Sequence, residues 1–331
     1  MLAVVMIHVD APPNEAFGRA GVRTWMLSTV GSVATHWAVP VFVMASGAVL
    51  LGRRVAEQPL GEFYRRRAVR VGIPLVVWTT FYYGYRVYLG QPIEGTHQVL
   101  GELLSAAPFY HLYFLFLICG LYVVAPFLAR GVAPMSTAGV GRFAVVAMLL
   151  GMLIQGLPRL GLPGGVNTWT YWLPYVGFFV AGAWLVRMRI TPRLRLLAAT
   201  AALASVVVGS WGVLAMVRAD GLQNGRYLAD QFSPTMVVLS LAMFVLLRWS
   251  GDGATGSLWT SRPAQSLAAL SFGVYLVHPL YLTEWQERGH GPPLDGPGTL
   301  LWLGETYVVV LGLAVLTAYV LSRVPVLRRT I

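Results

Sequence analysis

The sequence predicts an all-α fold: a polytopic integral membrane bundle of about ten transmembrane helices, forming one domain over 1–331. Three observations predict it. Of the 331 residues, 56% are hydrophobic and only 11% are charged. A water-soluble domain carries about a quarter charged residues, so most of this exterior must face lipid. Apolar runs approaching the ~20 residues of a spanning helix recur along the whole chain. The arginines, finally, alternate between dense and sparse connections, the pattern of the positive-inside rule.

The elements follow in order. The opening "MLAVVMIHVD" is apolar over 1–9, about half of a spanning helix. Residues 19–36 are expected to form an amphipathic helix at the membrane surface. Spanning helices are expected near 38–52, 72–90, 110–129, 143–157, 170–187, 195–217, 232–249, 265–283 and 299–321. No soluble domain, repeat or low-complexity tract interrupts them. The connections 52–71, 130–142, 187–195 and 248–262 and the tail after 321 hold 17 of the 24 arginines. Six more lie in the alternating connections, and Arg86 lies within a helix. This alternation puts both termini in the cytoplasm, so the first helix must rise from there. About ten further residues are then expected upstream of Met1. The first run lacks the basic start of a cleavable signal peptide.

Composition also excludes chemistry. All 24 basic residues are arginine and none is lysine. A P-loop and a pyridoxal Schiff base both need lysine, so neither exists here. The all-arginine usage reads as that of a GC-rich genome and points to a bacterium. Cys119 is the single cysteine, which leaves no internal disulfide and no cysteine-based metal site. No HExxH spacing or GxSxG elbow occurs, and no metal is expected. One HxxxxD pattern, His290 to Asp295, falls in a Gly/Pro-rich loop with no helix to fix the pair. Ser46-Gly47 reads as a place where helices approach closely rather than as a nucleophile.

Ionisable groups inside a bilayer are costly and therefore candidates for function. They are His8, Arg86, His111, His278 and Glu305, with Asp10 and Glu284 near the outer boundary. On the expected topology they fall in the outer halves of their helices and would converge on one polar cavity. Interfacial capping and snorkelling explain several of them equally well. His8 is apolar on its N-terminal side; an ordinary imidazole pKa of about 6.5 suits general-base work. Asp10 is two residues on and so does not share its helix face.

The stretch "FYRRRAVRVGIPLVVW" sets Arg65, Arg66, Arg67 and Arg70 at the cytoplasmic end of a helix, with Pro74 in its first turn. At α-helical spacing Arg67 and Arg70 share a face, as do Arg66 and Arg70. Guanidinium forks bind phosphate, so the cluster fits a polyanionic ligand such as a nucleotide or coenzyme A. It also fits plain anchoring to anionic lipid.

Five segments, in order, resemble the membrane acyltransferase-3 family, which includes bacterial O-antigen and exopolysaccharide O-acetyltransferases. They are "MLAVVMIHVD", "VPVFVMASGAVLL", "FYRRRAVRVGIPLVVW", "HLYFLFLICGLYVVAPFL" and "SFGVYLVHPLYL". The resemblance implies transfer of an acyl group, usually acetyl, from cytosolic acyl-CoA to a hydroxyl of a glycan or glycoconjugate. It implies His8 as the essential base, Arg67 and Arg70 with neighbouring Arg66 as acyl-CoA contacts, and residence in the bacterial plasma membrane. The family's arginine eleven residues before the histidine has no counterpart, because that position precedes Met1. Asp10, Arg86, His111, His278 and Glu305 are left as substrate contacts or supports. A transporter or flippase of a lipid-linked sugar is the alternative that the composition allows.

Overall fold

The computed structural model describes residues 1–160, 167, 169–249, 262–294 and 296–331. The connection 248–262 therefore lies almost wholly outside the described residues, and Asp295 lies outside them too. Among the described residues fifteen α-helices succeed one another: α1 (Leu2–Val9), α2 (Ala11–Asn14), α3 (Val22–Thr35), α4 (Ala38–Leu50), α5 (Arg53–Ala56), α6 (Leu60–Arg67), α7 (Ile73–Tyr88), α8 (Thr96–Leu104), α9 (Tyr113–Val132), α10 (Thr137–Gly156), α11 (Val176–Leu185), α12 (Pro192–Gly225), α13 (Pro234–Trp249), α14 (Arg262–Glu287) and α15 (Pro297–Arg323). Among the described residues there is no β-strand, only a single bridge between Phe17 and Ala20. The all-α membrane class is thus the observed one, and each expected window coincides with a helix. Six stretches among the described residues are long and apolar enough to cross a membrane: Val22–Leu50, Tyr113–Val132, Thr137–Gly156, Pro192–Leu222, Arg226–Arg248 and Pro297–Arg323. α11 has ten residues and α1 only eight.

The expectation for residues 19–36 is corrected. α3 is not a surface helix but the first half of the stretch Val22–Leu50. Its polar residues Thr24, Ser28, Thr29 and Ser32 are buried, while Val22, Leu27 and Val30 are exposed. Amphipathicity read from sequence fixes a polar face, not its direction. In lipid the apolar face turns outward and the polar face seeks partners inside the protein.

The chain forms two compact units. The first comprises Met1–Val41, Ile190–Val324 and Ile331; the second comprises Phe42–Arg189 and Pro325–Thr330. In the first unit α1 packs against α14 and α15, where Val5 and Val9 meet Val274, Leu282, Trp302, Leu303, Val310, Ala314 and Ala318. Small residues bring α14 and α15 together: a Cβ on Gly273 would lie 2.9 Å from the Ala318 Cβ. A second cluster joins Ala16, Ala20 and Trp25 to Val213, Leu214 and Val217 of α12. α12 breaks at Gly221, whose φ of 78° is open to glycine at little cost.

In the second unit α4 and α11 touch through their backbones. A Cβ on Gly47 would overlap the Phe179 carbonyl, and one on Gly182 would overlap the Met44 carbonyl. Ser46-Gly47 is therefore a close-approach site, as its sequence context suggests. The connections are fixed by capping. Ser136 accepts from the Gly139 amide at 3.1 Å and caps α10. Arg187 donates to the Met135 and Val132 carbonyls at 3.0 and 3.3 Å and closes the end of α9. The segment Pro325–Thr330 is held by Trp78, whose indole N–H donates to the Thr330 carbonyl at 2.7 Å.

Candidate active site

The site is built on α1. Its apolar residues form two turns that end at Asp10, after which Pro12 and Pro13 open α2. Proline is tolerated there because first-turn amides have no intrahelical acceptor. His8, in the last turn, meets His278 of α14, with ring centroids 5.3 Å apart and planes tilted by 31°. His278 is fully buried. Its Nδ1 donates to the Val274 carbonyl at 3.1 Å. A carbonyl can only accept, so Nδ1 carries the proton and Nε2 of the neutral ring is an acceptor.

Asp10 is buried two residues after His8, in the connection between α1 and α2. Ser28 donates to its Oδ1 at 2.6 Å and to its main-chain carbonyl at 3.2 Å. Its Oδ2 is buried without a hydrogen-bond partner. Burial pushes this carboxyl up to about 7, against the pull of the Ser28 bond and of Arg226. Asn14 extends the polar seam, donating to Thr29 at 3.2 Å, while its carbonyl accepts from Trp25 at 2.8 Å. Asp10 thus fastens α1 to α3.

Three further groups join this cluster that the sequence did not single out. His36 bears electrostatically on His8, and Arg226 and Asp230 bear on His36. Arg226 also pairs with Glu15 at 3.7 Å. In sequence these residues sit beside connections, where charged side chains are ordinary. The one legible signal was His36, which interrupts the apolar stretch 22–50.

Glu305 does not join the cluster, contrary to the expected convergence. The buried stripe of α15 runs through Thr299, Trp302, Leu303, Thr306, Val310, Ala314 and Ala318. Glu305 falls off that stripe and is exposed. Helical phase decides this: Thr306 turns inward and accepts from the Trp285 indole at 3.1 Å.

Arg86 and His111 belong to the second unit. Arg86 pairs with Glu102 of α8 at 2.6 Å and lies over the Tyr83 ring. Burial pushes the Glu102 carboxyl up, but hydrogen bonds from Arg86 and Gln98 outweigh it and leave it below its ordinary value. His111 is buried among Tyr82, Phe109 and Tyr110, at ring distances of 4.9, 5.8 and 5.6 Å. Both are built into packing at the ends of α7 and α9.

The arginine cluster is also in the second unit. α6 does not pass directly into α7: residues Ala68–Gly72 form a π-helical turn. Its i→i+5 bonding widens the turn, so the α-helical argument that Arg67 and Arg70 share a face does not apply across it. Arg67 is half-buried between the rings of Phe63 and Tyr122, 5.4 Å from each centroid. Its Nε is buried without a hydrogen-bond partner. Tyr64 donates to the Val123 carbonyl at 2.8 Å and ties α6 to α9. Arg66 pairs with Glu62 one turn back, and Arg65 and Arg70 are exposed. The aromatic frame therefore positions Arg67, with unused donor capacity for an anion.

The remaining motifs carry less. Cys119 is a free, half-buried thiol. His290 stacks on Trp285 at 4.0 Å, and its carbonyl accepts from Trp302 at 2.8 Å. Among the described residues no three His, Cys, Asp or Glu side chains are grouped to hold a metal ion.

The chain matches the family model described as an acyltransferase domain over residues 1–323. No curated protein and no solved structure matches it. The family match runs from the start of α1 to the end of α15 and takes in both the histidine pair and the arginine-rich entry to α7. This chain therefore belongs to the acyltransferase 3 family, and it is a membrane acyltransferase.

Proposed function

We propose that the chain is an acyl-CoA-dependent O-acyltransferase that moves an acyl group, acetyl by default, to a hydroxyl of a glycan or glycoconjugate in the bacterial envelope. One observation carries this reading: an acyltransferase 3 chain holds an ionisable side chain, His8, in an apolar helix, seated against a second imidazole of fixed tautomer. His8 takes the proton of the acceptor hydroxyl as its oxygen attacks the thioester carbonyl. The carbon–sulfur bond breaks, and the thiolate leaves with a proton returned from His8. Arg67 is the principal contact for the coenzyme A phosphates, supported by Arg66 and Arg70. Its unpartnered Nε and its aromatic frame suit an anion that arrives with the substrate. The dense-arginine connections support a topology with these residues and both termini on the cytoplasmic side of the plasma membrane.

The test is transfer of labelled acetyl from acetyl-CoA to an envelope glycan fraction in membranes carrying the parent, His8→Ala or Arg67→Ala. His8→Ala is expected to abolish transfer while remaining monodisperse in detergent. Arg67→Ala is expected to raise KM for acetyl-CoA about tenfold, the loss of roughly one charge-assisted hydrogen bond. Parental turnover in His8→Ala would refute the role of the histidine.

A further inference from the structure

We infer that His278 is a positioning residue for His8, and that Pro279 sets the tautomer in which it works. The inference rests on the reading of His8 as the base and adds to it.

Helix α14 carries Pro279 in its interior. Proline has no amide hydrogen, so the carbonyl four residues back, that of Tyr275, loses its helical donor. The ring of His278 lies beside that vacancy. Its Nδ1 donates to the neighbouring carbonyl, that of Val274, at 3.1 Å, and the Tyr275 carbonyl also acts on the ring. Both carbonyls belong to the backbone of the same helix. The proton on Nδ1 is thereby fixed by main chain that a rotamer change cannot move. Nε2 becomes the acceptor end of the ring.

The His8 ring lies against this imidazole at 5.3 Å, and Val5, Val9, Val274, Leu282 and Trp302 pack around the two helices. A proton arriving on His8 in such surroundings needs an acceptor beside it. When one His8 nitrogen takes the hydroxyl proton, the other donates its N–H to Nε2 of His278. No proton passes to His278. It holds the His8 ring in place and stabilises the imidazolium until that proton goes to the leaving thiolate. A carboxylate does this in the Ser-His-Asp arrangement; here a neutral acceptor of fixed tautomer does it. A histidine kept for packing alone would gain nothing from a fixed tautomer.

The experiment measures kcat and KM for acetyl-CoA separately in the parent, His278→Phe, His278→Gln and Pro279→Ala, beside His8→Ala. His278→Phe keeps a ring but no acceptor, and kcat is expected to fall between about tenfold and a hundredfold with KM unchanged. His278→Gln retains an acceptor oxygen and is expected to recover most of that loss. Pro279→Ala keeps every side chain of the pair. It returns a backbone donor to Tyr275, which favours the helix and competes with the His278 ring. Its kcat is expected to fall severalfold while its melting temperature holds or rises. Parental kcat in His278→Phe, a change confined to KM, or a Gln variant no better than Phe would each overturn the inference. His8→Ala separates the two failures. If it retains transfer, the base is wrong; if it is dead while His278→Phe is fully active, only the positioning role falls.

Discussion

His278 and His111 are both sealed inside the protein, yet their surroundings assign them different work. His278 donates to a main-chain carbonyl of its own helix, that of Val274, and faces another imidazole. His111 sits just before α9 among three aromatic rings, in the same unit as the Arg86–Glu102 pair. The first environment fixes a tautomer and sets the ring against a second ionisable side chain. The second uses the imidazole as a flat, compact ring. An ionisable residue in an apolar helix is thus only a question, and its neighbours give the answer.

Three perturbations probe that difference, beginning with the largest expected effect. His111→Ala opens a cavity among Tyr82, Phe109 and Tyr110 and should cost about 2–4 kcal/mol of stability, read as a lowered melting temperature in detergent. Turnover per folded molecule should hold. A specific loss of turnover would put His111 on the same footing as His278.

Asp10→Asn should act in the opposite direction. A carboxyl raised to about 7 binds its proton more tightly in the folded chain than in the unfolded one. Its contribution to stability therefore falls as pH climbs from the ordinary carboxylate range towards 7, and stays low above that. The Asn variant lacks this fall and should be more stable by about 1–2 kcal/mol near pH 8, with no gain near pH 4. A gain independent of pH would contradict the assigned cause.

Arg86→Ala should cost about 1 kcal/mol, since the pair it breaks is only partly shielded from solvent. The double change with Glu102→Ala should recover part of that cost, because it removes the carboxylate left behind. Additive losses would mean that the two side chains act independently, and that neither serves chiefly to hold the other.

Much of this fold was legible before any coordinates. Helix positions follow from runs of apolar residues, and the nine expected windows all meet helices, because hydrophobicity in lipid is a property of the segment itself. Direction was harder to read. The same pattern that makes α3 amphipathic is satisfied by a polar face turned to water or to the protein interior, and the structure takes the second. Shared faces at the arginine cluster assumed an unbroken α-helix, which the π turn at Ala68–Gly72 interrupts. His8 and His278 could each be singled out, but their contact joins positions 270 residues apart. Glu305 falls off the buried stripe of α15 for a local reason, a matter of helical phase. His36, Arg226 and Asp230 were hidden by lying near connections, where charge is unremarkable in a sequence.

The paired glycines of α4 and α11 have a consequence for how this protein can change. An oversized core side chain is often rescued by a smaller one opposite it. At Gly47 and Gly182 the obstacle is the partner's own carbonyl, which every amino acid carries. No second-site replacement can shorten it. A suppressor screen begun from Gly47→Ala should therefore return true revertants, or changes that loosen the helix pair, and no compensating residue across the seam.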